Sequence, residues 1–580
     1  MQGVSTTPTP SGFSEVADPV QIRLDLSEPA SQTIQVEMRW MPICHRQTWQ
    51  LPVWTPGSYT VRDHVQHLHS LTLSSGSVPL PIRRLAPHRW QCDLPELTPL
   101  SIRYCIEARD LTVRTGLLDP DFASLSLAAV MLEIEGFRWT DHLIVVEAPE
   151  QWEVHLPLQR QGDGWIASDF DELVDSPLHA GPFGSQSFDV LGHRHELLLI
   201  GAPPFGWPDN FLADVEAICG ATCQLMGTPP PAGDRYQLVL QLLDKGYGGL
   251  EHDHSAVLQY SWNALKDAKG YRQLLQLIGH EYLHQWNVRR LRPAEYRPYD
   301  YGRAVVSEGL WFAEGITSYY DLFLPLLAGC SDRSNLITDL GAELSSVLMT
   351  PGRAIQSLAA SAEEAWVKLY KATPSSRDSQ VSYYRLGTAV AFCLDVRLRL
   401  RSSSLAELLR QLWRSHGRCG RGYRREDLIT LIATVDPGLG RDLDQWLDQP
   451  DSLPLVAVAQ QIGLRLDPVP STTPHHGLTV SDADGGVWIK RVERHSPGLS
   501  AGLVVGDELI AVDGSRLRSS SDLPLLLRNK EVVTVLFCRR GRLQETRLSP
   551  DTGLDRWQLD WDPAAKTAQK VLRDQWFEIL

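Results

Sequence analysis

The segment that most constrains the fold of this chain is residues 276–293, which read QLIGHEYLHQWNVRRLRP and contain the pattern H-E-x-x-H at His280, Glu281 and His284. Residues four apart lie on one face of a helix, so the two imidazoles can bind one cation while Glu281 occupies an adjacent position. Apolar residues at spacings of three and four support the helix, namely Leu274, Leu275, Ile278 and Tyr282. The chain is therefore expected to fold around a helix that offers two metal ligands and a carboxylate base.

Two imidazoles leave a catalytic zinc site one ligand short, because such sites use three protein ligands and keep a fourth position for water. Bound Zn2+ lowers the pKa of that water toward neutrality, and Glu281 can then accept its proton. The candidates for the third ligand are Glu295, Glu308 and Glu314. Glu314 is favoured because it lies in an apolar helical stretch, where an unpaired carboxylate is costly to bury, and Glu308 stays open as the alternative.

The composition is typical of a globular protein and indicates neither a nucleic-acid nor a membrane partner. The 580 residues suggest three or four domains. A formal net charge of −15 would repel a phosphate backbone, and no apolar stretch approaches the ~18 residues of a membrane span. The first residues lack the pattern of a signal peptide, and the nine dispersed cysteines include no C-x-x-C pair. We therefore expect a cytoplasmic protein.

Changes in periodicity along the chain predict a multidomain α+β protein. After a lead-in at residues 1–17, expected to be disordered, alternating apolar residues predict a β-sandwich-like domain over residues 18–200. Residues 201–454 are predicted to form a catalytic domain whose helices bury the metal helix between them. Its predicted elements are helices at 209–226, 310–327, 335–348, 384–400 and 405–414 and a strand at 236–243.

A further composition change near residue 455 predicts a small β-rich module over residues 455–550, followed by a tail, residues 551–580, whose tryptophans should pack it on the body. Within the module, residues 498–502 satisfy G-x-S-x-G, the nucleophile-elbow pattern, which requires a strand before and a helix after it. Ser496 and Pro497 instead supply the N-cap and first-turn proline of a short helix. We expect no serine nucleophile there.

HEYLHQW followed by LWFAEGITSYY resembles the gluzincin metallopeptidases, whose catalytic domain is thermolysin-like. The resemblance implies that Glu314, in a W-x-x-E-G segment, is the third zinc ligand. GGLEH at residues 248–252 is similar to the G-x-M-E-N exopeptidase signature. That similarity implies that Glu251, beside Gly248 and Gly249, binds the α-amino group of the substrate.

A Y-x-x-G segment begins at Tyr384 and resembles the segment that supplies the oxyanion donor in the same enzymes. The resemblance implies that the Tyr384 hydroxyl donates a hydrogen bond to the tetrahedral intermediate. Tyr383 directly precedes it and stays open as the donor. Leu250 and His252 depart from the signature, since the broader aminopeptidases have Met and Asn there, so recognition of the amine is expected to differ in detail.

Over residues 18–550 the chain most resembles the glycyl aminopeptidase family, which joins an N-terminal β domain carrying P-G-S-Y, here residues 56–59, to a gluzincin catalytic domain and a C-terminal PDZ domain. The segment from Ser496 to Asp507 is similar to the S-P-x-x-x-A-G-L-x-x-G-D segment of PDZ domains. The resemblance implies a carboxylate-binding loop for peptide C-termini at Ile462, Gly463 and Leu464, before the next strand.

Together these features predict a zinc-dependent aminopeptidase that hydrolyses peptides after a small N-terminal residue, Gly or Ala. Two alternatives stay open from the sequence. One is an endopeptidase directed by the PDZ domain, and the other is a non-catalytic PDZ scaffold with a vestigial metal site.

Overall fold

The structure, a computed structural model, describes residues 19–579 and begins with a β-rich region. The lead-in predicted for residues 1–17 lies outside the described residues. Within them, no helix has both the length and the apolar character needed to cross a membrane.

The N-terminal region is built on an eight-stranded sheet. In this sheet β1 (Val20–Asp25) pairs in parallel with β12 (His142–Glu147) and antiparallel with β2 (Thr33–Trp40). Alternate residues of β1 and β2 are buried, as the period of two predicts. One short helix, α1, spans Phe170–Val174. The strands β1 to β16 are Val20–Asp25, Thr33–Trp40, Arg46–Gln50, Leu68–Ser75, Val78–Leu80, Arg83–Ala86, Arg89–Asp93, Leu100–Glu107, Gly116–Leu118, Ala123–Leu125, Glu133–Ile134, His142–Glu147, Glu153–His155, Gln159–Gln161, Gly164–Ala167 and Leu178–Gly181.

The next region has a five-stranded sheet whose strands run in the order β17-β18-β19-β21-β20, with β20 at an edge. The hairpin β17–β18 was predicted to belong to the N-terminal domain, which was placed at 18–200. That boundary is too late, because β18 pairs in parallel with β19 and so joins the hairpin to this sheet. The strands β17 to β21 are Ser185–Val190, His193–Ile200, Tyr236–Leu243, Tyr247–Glu251 and Ser255–Ser261, and helix α2 spans Phe211–Met226.

Helices follow from residue 268 onward and enclose the helix that carries the H-E-x-x-H pattern. Helix α3 (Ala268–Leu283) packs against α2 and against α4 (Leu310–Leu327). Helix α4 in turn packs against α7 (Tyr383–Arg399). Within this region the helices α3 to α11 are Ala268–Leu283, Leu310–Leu327, Arg333–Leu348, Leu358–Glu363, Tyr383–Arg399, Leu405–Ser415, Arg425–Val435, Pro437–Asp448 and Leu455–Gln461. The structure is thus a multidomain α+β fold with a β-rich N-terminal region and a helical region that surrounds the metal helix.

A smaller β-rich unit with its own hydrophobic core follows, and Val487, Leu503 and Leu548 are fully buried in it. The pattern G-x-S-x-G lies on the short helix α12, whose N-cap Ser496 accepts a hydrogen bond from the Leu499 amide, as predicted. The strands and helices of this unit are β23 Leu478–Ala483, β24 Gly486–Val492, α12 Pro497–Ser500, β25 Glu508–Val512, β26 Ser515–Arg516, α13 Asp522–Leu527, β27 Val533–Arg539 and β28 Arg542–Leu548.

The strand β22, Leu464–Pro470, lies outside that sheet and pairs antiparallel with β29, Leu554–Trp561. The prediction of a carboxylate-binding loop at Ile462, Gly463 and Leu464 is therefore wrong. Ile462 and Leu464 are fully buried, and the Gly463 carbonyl accepts a hydrogen bond from Arg573 of the C-terminal segment. That segment packs directly on the loop, with Ala565 facing Gly463.

The C-terminal helix α14, Thr567–Glu578, lies against α7. Its Trp576 is fully buried and packs edge-on against Phe323 and Phe392. The indole N–H of Trp576 donates a hydrogen bond to the Tyr319 hydroxyl at 2.8 Å. The tail thus closes the core of the helical region.

Candidate functional site

Helix α3 begins at an N-cap, Asp267, whose carboxylate accepts a hydrogen bond from the Gly270 amide at 2.8 Å. Its last turn carries His280 and Glu281, and His284 is the C-cap residue. The two imidazole rings lie one turn apart, with centroids separated by 4.6 Å. The helix therefore presents both imidazoles on one face, as the spacing predicts.

Helix α4 brings Glu314 to the same face. Its Oε2 lies 3.5 Å from Nε2 of His280 and 3.3 Å from Nε2 of His284. The alternative candidate, Glu308, instead pairs with Arg425 at 3.2 Å. We call His280, His284 and Glu314 the metal cluster, because one ligand atom of each lies within 4.8 Å of the others.

Hydrogen bonds at the outer nitrogens fix the orientation of both imidazoles. Nδ1 of His280 lies 2.8 Å from the carboxylate of Asp321, and Nδ1 of His284 lies 2.5 Å from the backbone carbonyl of Asn287. Each Nδ1 therefore carries a proton, and Nε2 is the ring atom of each imidazole that faces Glu314. Asp321 was not predicted from the sequence, although it lies seven residues after Glu314 on α4 and hence on the same face.

The donor set fits a zinc ion. Two imidazole nitrogens and one carboxylate oxygen are the ligands of one type of catalytic zinc site. The Nδ1 contacts with Asp321 and Asn287 are the outer contacts that such imidazole ligands require.

A second group, which we call the carboxylate cluster, consists of Glu251, Glu281 and His284, again with ligand atoms within 4.8 Å of one another. Glu251 ends the edge strand β20, and the preceding glycine, Gly249, lies directly against Glu281. A Cβ atom at Gly249 would overlap the Glu281 carboxylate. Glycine at this position is therefore what allows the strand to approach the metal helix.

The P-G-S-Y segment, residues 56–59, reaches the same place from the N-terminal region. Gly57 has a φ of +84°, and a Cβ there would lie 2.5 Å from a carboxylate oxygen of Glu251. A turn that glycine accommodates without strain therefore brings this segment into contact with Glu251.

The two glutamates that flank His284 titrate in opposite directions. Burial raises the pKa of Glu281 to about 7, and the charges of Glu251 and Glu314 act in the same direction. Burial would also raise the pKa of Glu314, but the charge of His284 and hydrogen bonds from both imidazoles lower it to about 2. Glu314 is thus an anion suited to a cation, and Glu281 is suited to exchange a proton near neutral pH.

Three tyrosines lie together within electrostatic range of Glu314. The hydroxyl of Tyr370 lies 2.9 Å from those of both Tyr383 and Tyr384. Burial raises the pKa of Tyr384, and the charge of Glu314 is the next contributor, whereas for Tyr383 the neighbouring tyrosines contribute more than Glu314. The charge of Glu314 thus acts on both hydroxyls and ranks higher among the causes for Tyr384. Tyr370 was not predicted, because nothing in the sequence marks a tyrosine in a loop as a partner of Tyr384.

Two glycines bring Tyr384 and Glu314 together. A Cβ at Gly315, on α4, would lie 2.5 Å from the Cα of Gly387, and one at Gly387, on α7, would lie 2.8 Å from the Cα of Gly315. Each glycine belongs to one of the short segments noted in the sequence, W-x-x-E-G and Y-x-x-G. The backbones of the two helices therefore touch beside the site.

Comparisons with known proteins support a peptidase of the metallopeptidase class with a β-rich N-terminal region and a helical catalytic region. More particularly, residues 21–182 match the family model described as the Peptidase M61 N-terminal domain. Residues 273–390, which contain the whole metal cluster, match the model described as M61 glycyl aminopeptidase. No curated protein matches the chain.

Among solved structures, the chain is similar to an aminopeptidase N family protein from Idiomarina loihiensis, with 27% identity, 96% of this chain and 100% of that chain covered, and a TM-score of 0.89. An M1 zinc metallopeptidase from Deinococcus radiodurans is 14% identical, with 76% of this chain and 95% of that chain covered and a TM-score of 0.48. The second likeness is too low to inform the site. The first shows that the whole architecture, including the C-terminal regions, has a solved counterpart.

Proposed function

We propose that the protein is a zinc-dependent aminopeptidase that releases a small N-terminal residue, Gly or Ala, from peptides. The observation that carries the proposal is the overlap of the metal cluster with the carboxylate cluster at His284. A cation site beside two buried carboxylates, Glu251 and Glu281, supplies separate groups for the substrate ammonium and for proton transfer. The preference for Gly or Ala rests on the likeness to the M61 glycyl aminopeptidase model.

Each residue of the site would have its own role in the reaction. His280, His284 and Glu314 would hold the zinc ion, which when bound polarises the scissile carbonyl and acidifies water. Glu281 takes a proton from the attacking water and returns it to the leaving amine, which its pKa of about 7 favours. The Tyr384 hydroxyl donates a hydrogen bond to the oxyanion.

Glu251 sets the exopeptidase register in this proposal. It pairs with the α-ammonium of the substrate, so that the first peptide bond lies over Glu281. Gly248 and Gly249 leave the edge strand β20 free of side chains next to the substrate backbone, and Gly249 is already in contact with Glu281. Peptides without a free amine would then lack the ion pair with Glu251.

The test is an activity panel on the purified, zinc-loaded protein. We expect release of the first residue from glycyl and alanyl peptides and no cleavage of the same peptides after N-acetylation. Equal cleavage of blocked peptides, or cleavage of internal bonds in intact proteins, would favour an endopeptidase. A protein that binds no zinc and cleaves no peptide would favour a non-catalytic scaffold.

The Glu251→Gln variant should lower kcat/KM for free-amine peptides by about 10- to 100-fold, because a charge-assisted hydrogen bond contributes about 1.5–3 kcal/mol. Any residual cleavage of N-acetylated peptides should not be lowered by this substitution. Steady-state kinetics on the paired substrates measures this difference. An equal loss on both substrates would argue against recognition of the amine by Glu251.

We also propose that the small unit with its own core, residues 478–548, is a PDZ domain. Helix α12 lies in the segment that resembles PDZ domains, and β23 is an edge strand whose free backbone groups suit an extended peptide C-terminus. The partners of the protein would then be peptide substrates at the metal site and peptide C-termini at this edge. A cytoplasmic location stays a prediction from the sequence.

A further inference from the structure

Two arginines from the N-terminal β-rich region reach the segments that hold Glu251 and Glu281. Arg62 donates from Nε and Nη2 to the hydroxyl of Ser58, with both distances 3.3 Å, and Ser58 follows the glycine that contacts Glu251. Arg114 donates from Nη2 to the Gly249 carbonyl at 3.1 Å, and Gly249 lies against Glu281. Both guanidinium groups are thus anchored at the edge of the carboxylate cluster.

These two cations lie near each other and also near the tyrosines of the site. Burial lowers the pKa of Arg62, and the positive charge of Arg114 lowers it further, while Asp110 and Tyr370 act in the opposite direction. Burial and the charge of Glu314 raise the pKa of Tyr370, whereas the positive charge of Arg114 lowers it. Both arginines therefore lie within electrostatic range of Tyr370, whose hydroxyl contacts that of Tyr384.

The hydrogen-bonding capacity of the pair is largely unused. A guanidinium has five N–H donors, and the side-chain partners of this pair are one hydroxyl and one backbone carbonyl. Within residues 19–579, neither arginine forms a salt bridge, and Nε of Arg114 is buried without a partner. Two half-buried like charges with no carboxylate in direct contact are unfavourable, so an anion that joined them would be bound well.

We propose that Arg62 and Arg114 form a carboxylate-binding subsite that takes the C-terminal carboxylate of a dipeptide or tripeptide substrate. The inference rests on the proposed aminopeptidase function and adds a substrate class, namely short peptides with a free C-terminus. A guanidinium pair suits a carboxylate because each planar group can donate two parallel hydrogen bonds to it.

The direction of the edge strand agrees with this assignment. A substrate that runs antiparallel to β20 with its ammonium at Glu251 has its later residues toward Gly249, where Arg114 is anchored. Two residues of a strand span about 7 Å, which is also the length of an extended dipeptide from ammonium to carboxylate at about 3.3 Å per residue. A peptide of two or three residues therefore reaches from Glu251 to the arginine pair.

The test compares three substrates that share an N-terminal alanine. Ala-Ala carries a terminal carboxylate, Ala-Ala-amide carries none, and Ala-Glu-amide carries a carboxylate only on its side chain. For the wild type we expect kcat/KM to be at least about tenfold higher for Ala-Ala than for Ala-Ala-amide, which corresponds to one charge-assisted hydrogen bond. The ratio should fall toward one in Arg62→Gln and in Arg114→Gln.

Arg109→Gln is the matched control, because Arg109 lies on the same β-rich region but is exposed and pairs with Glu107. This variant should keep the wild-type ratio. A wild-type ratio near one, or a ratio that neither arginine variant changes, would overturn the subsite. A preference for Ala-Glu-amide over Ala-Ala would also overturn it, because the pair would then read an acidic side chain.

A binding measurement separates failure of the subsite from failure of the proposed function. In a Glu281→Gln background, calorimetry should show tighter binding of Ala-Ala than of Ala-Ala-amide, and Arg114→Gln should remove the difference. Equal binding of the two ligands would contradict the subsite alone. If the wild type hydrolyses none of the three substrates, the aminopeptidase assignment itself fails.

Discussion

The metal cluster and the carboxylate cluster share His284, but Glu314 of the first and Glu281 of the second have opposite pKa shifts. Glu314 and Glu281 are both buried, with exposed fractions of 2% and 4%, so burial alone would raise both pKa values. Direct contact with two imidazoles lowers the pKa of Glu314 to about 2, whereas Glu281, next to Glu251, has a pKa of about 7. Contact partners thus separate the two pKa values, in the sense that suits the proposed roles of Glu314 as a ligand and Glu281 as a proton carrier.

The largest effect is expected for Glu314→Gln. Removing the anionic ligand leaves two imidazoles for the cation, so zinc content measured by plasma mass spectrometry should drop and activity should fall to background. Glu308→Gln is the control, since Glu308 pairs with Arg425 outside the cluster. Full zinc content in the Glu314 variant would contradict its assignment as a ligand.

The Glu281→Gln variant should distinguish the role of the metal cluster from that of the carboxylate cluster. The variant keeps all three proposed ligands, so zinc content should match the wild type, whereas kcat should fall by about 10²- to 10⁴-fold because the proton carrier is lost. Measuring metal content and kcat on one preparation distinguishes loss of the metal from loss of proton transfer. Substantial turnover would mean that another group accepts the proton.

Tyr384→Phe should lower kcat by about 10²- to 10³-fold through loss of the oxyanion donor, with zinc content unchanged. Tyr383→Phe is a closely matched control, because both hydroxyls lie 2.9 Å from that of Tyr370. Its effect on kcat should be much smaller. A larger loss in the Tyr383 variant would transfer the donor role to that residue.

Asp321→Asn should have the smallest effect. Asp321 holds Nδ1 of His280 at 2.8 Å, and loss of such an outer carboxylate lowers metal affinity about 10- to 100-fold. Competition with a chelator measures this change, while activity at saturating zinc should stay close to that of the wild type. Unchanged zinc affinity would show that Asp321 does not support the ligand.

Local patterns in the sequence predicted most of the helical region and the residues of the metal cluster. The predicted helix 310–327 coincides with Leu310–Leu327, and the predicted strand 236–243 coincides with Tyr236–Leu243. Glu314 could be favoured because a carboxylate in an apolar helix needs a partner. These inferences depend on spacings of a few residues, which can be read directly from the sequence.

Features set by distant parts of the chain could not be predicted. The loop at Gly463 is covered by Arg573, which lies 110 residues later, so no local pattern excludes a ligand there. The contact of Gly57 with Glu251 likewise joins two regions. The pairing of β18 with β19, which joins β18 to the second sheet, is likewise not marked by any local pattern.

The contact between Gly315 and Gly387 has a consequence for protein engineering. Replacing a helical glycine by alanine is a common stabilising substitution, because alanine restricts the unfolded chain and has the higher helix propensity. Here a methyl group on Gly315 would lie 2.5 Å from the facing backbone, so α4 and α7 would have to separate by about 1 Å to reach ordinary van der Waals distance. Glu314 and Tyr384 would separate with them, so a substitution chosen for thermostability at this crossing would widen the active site.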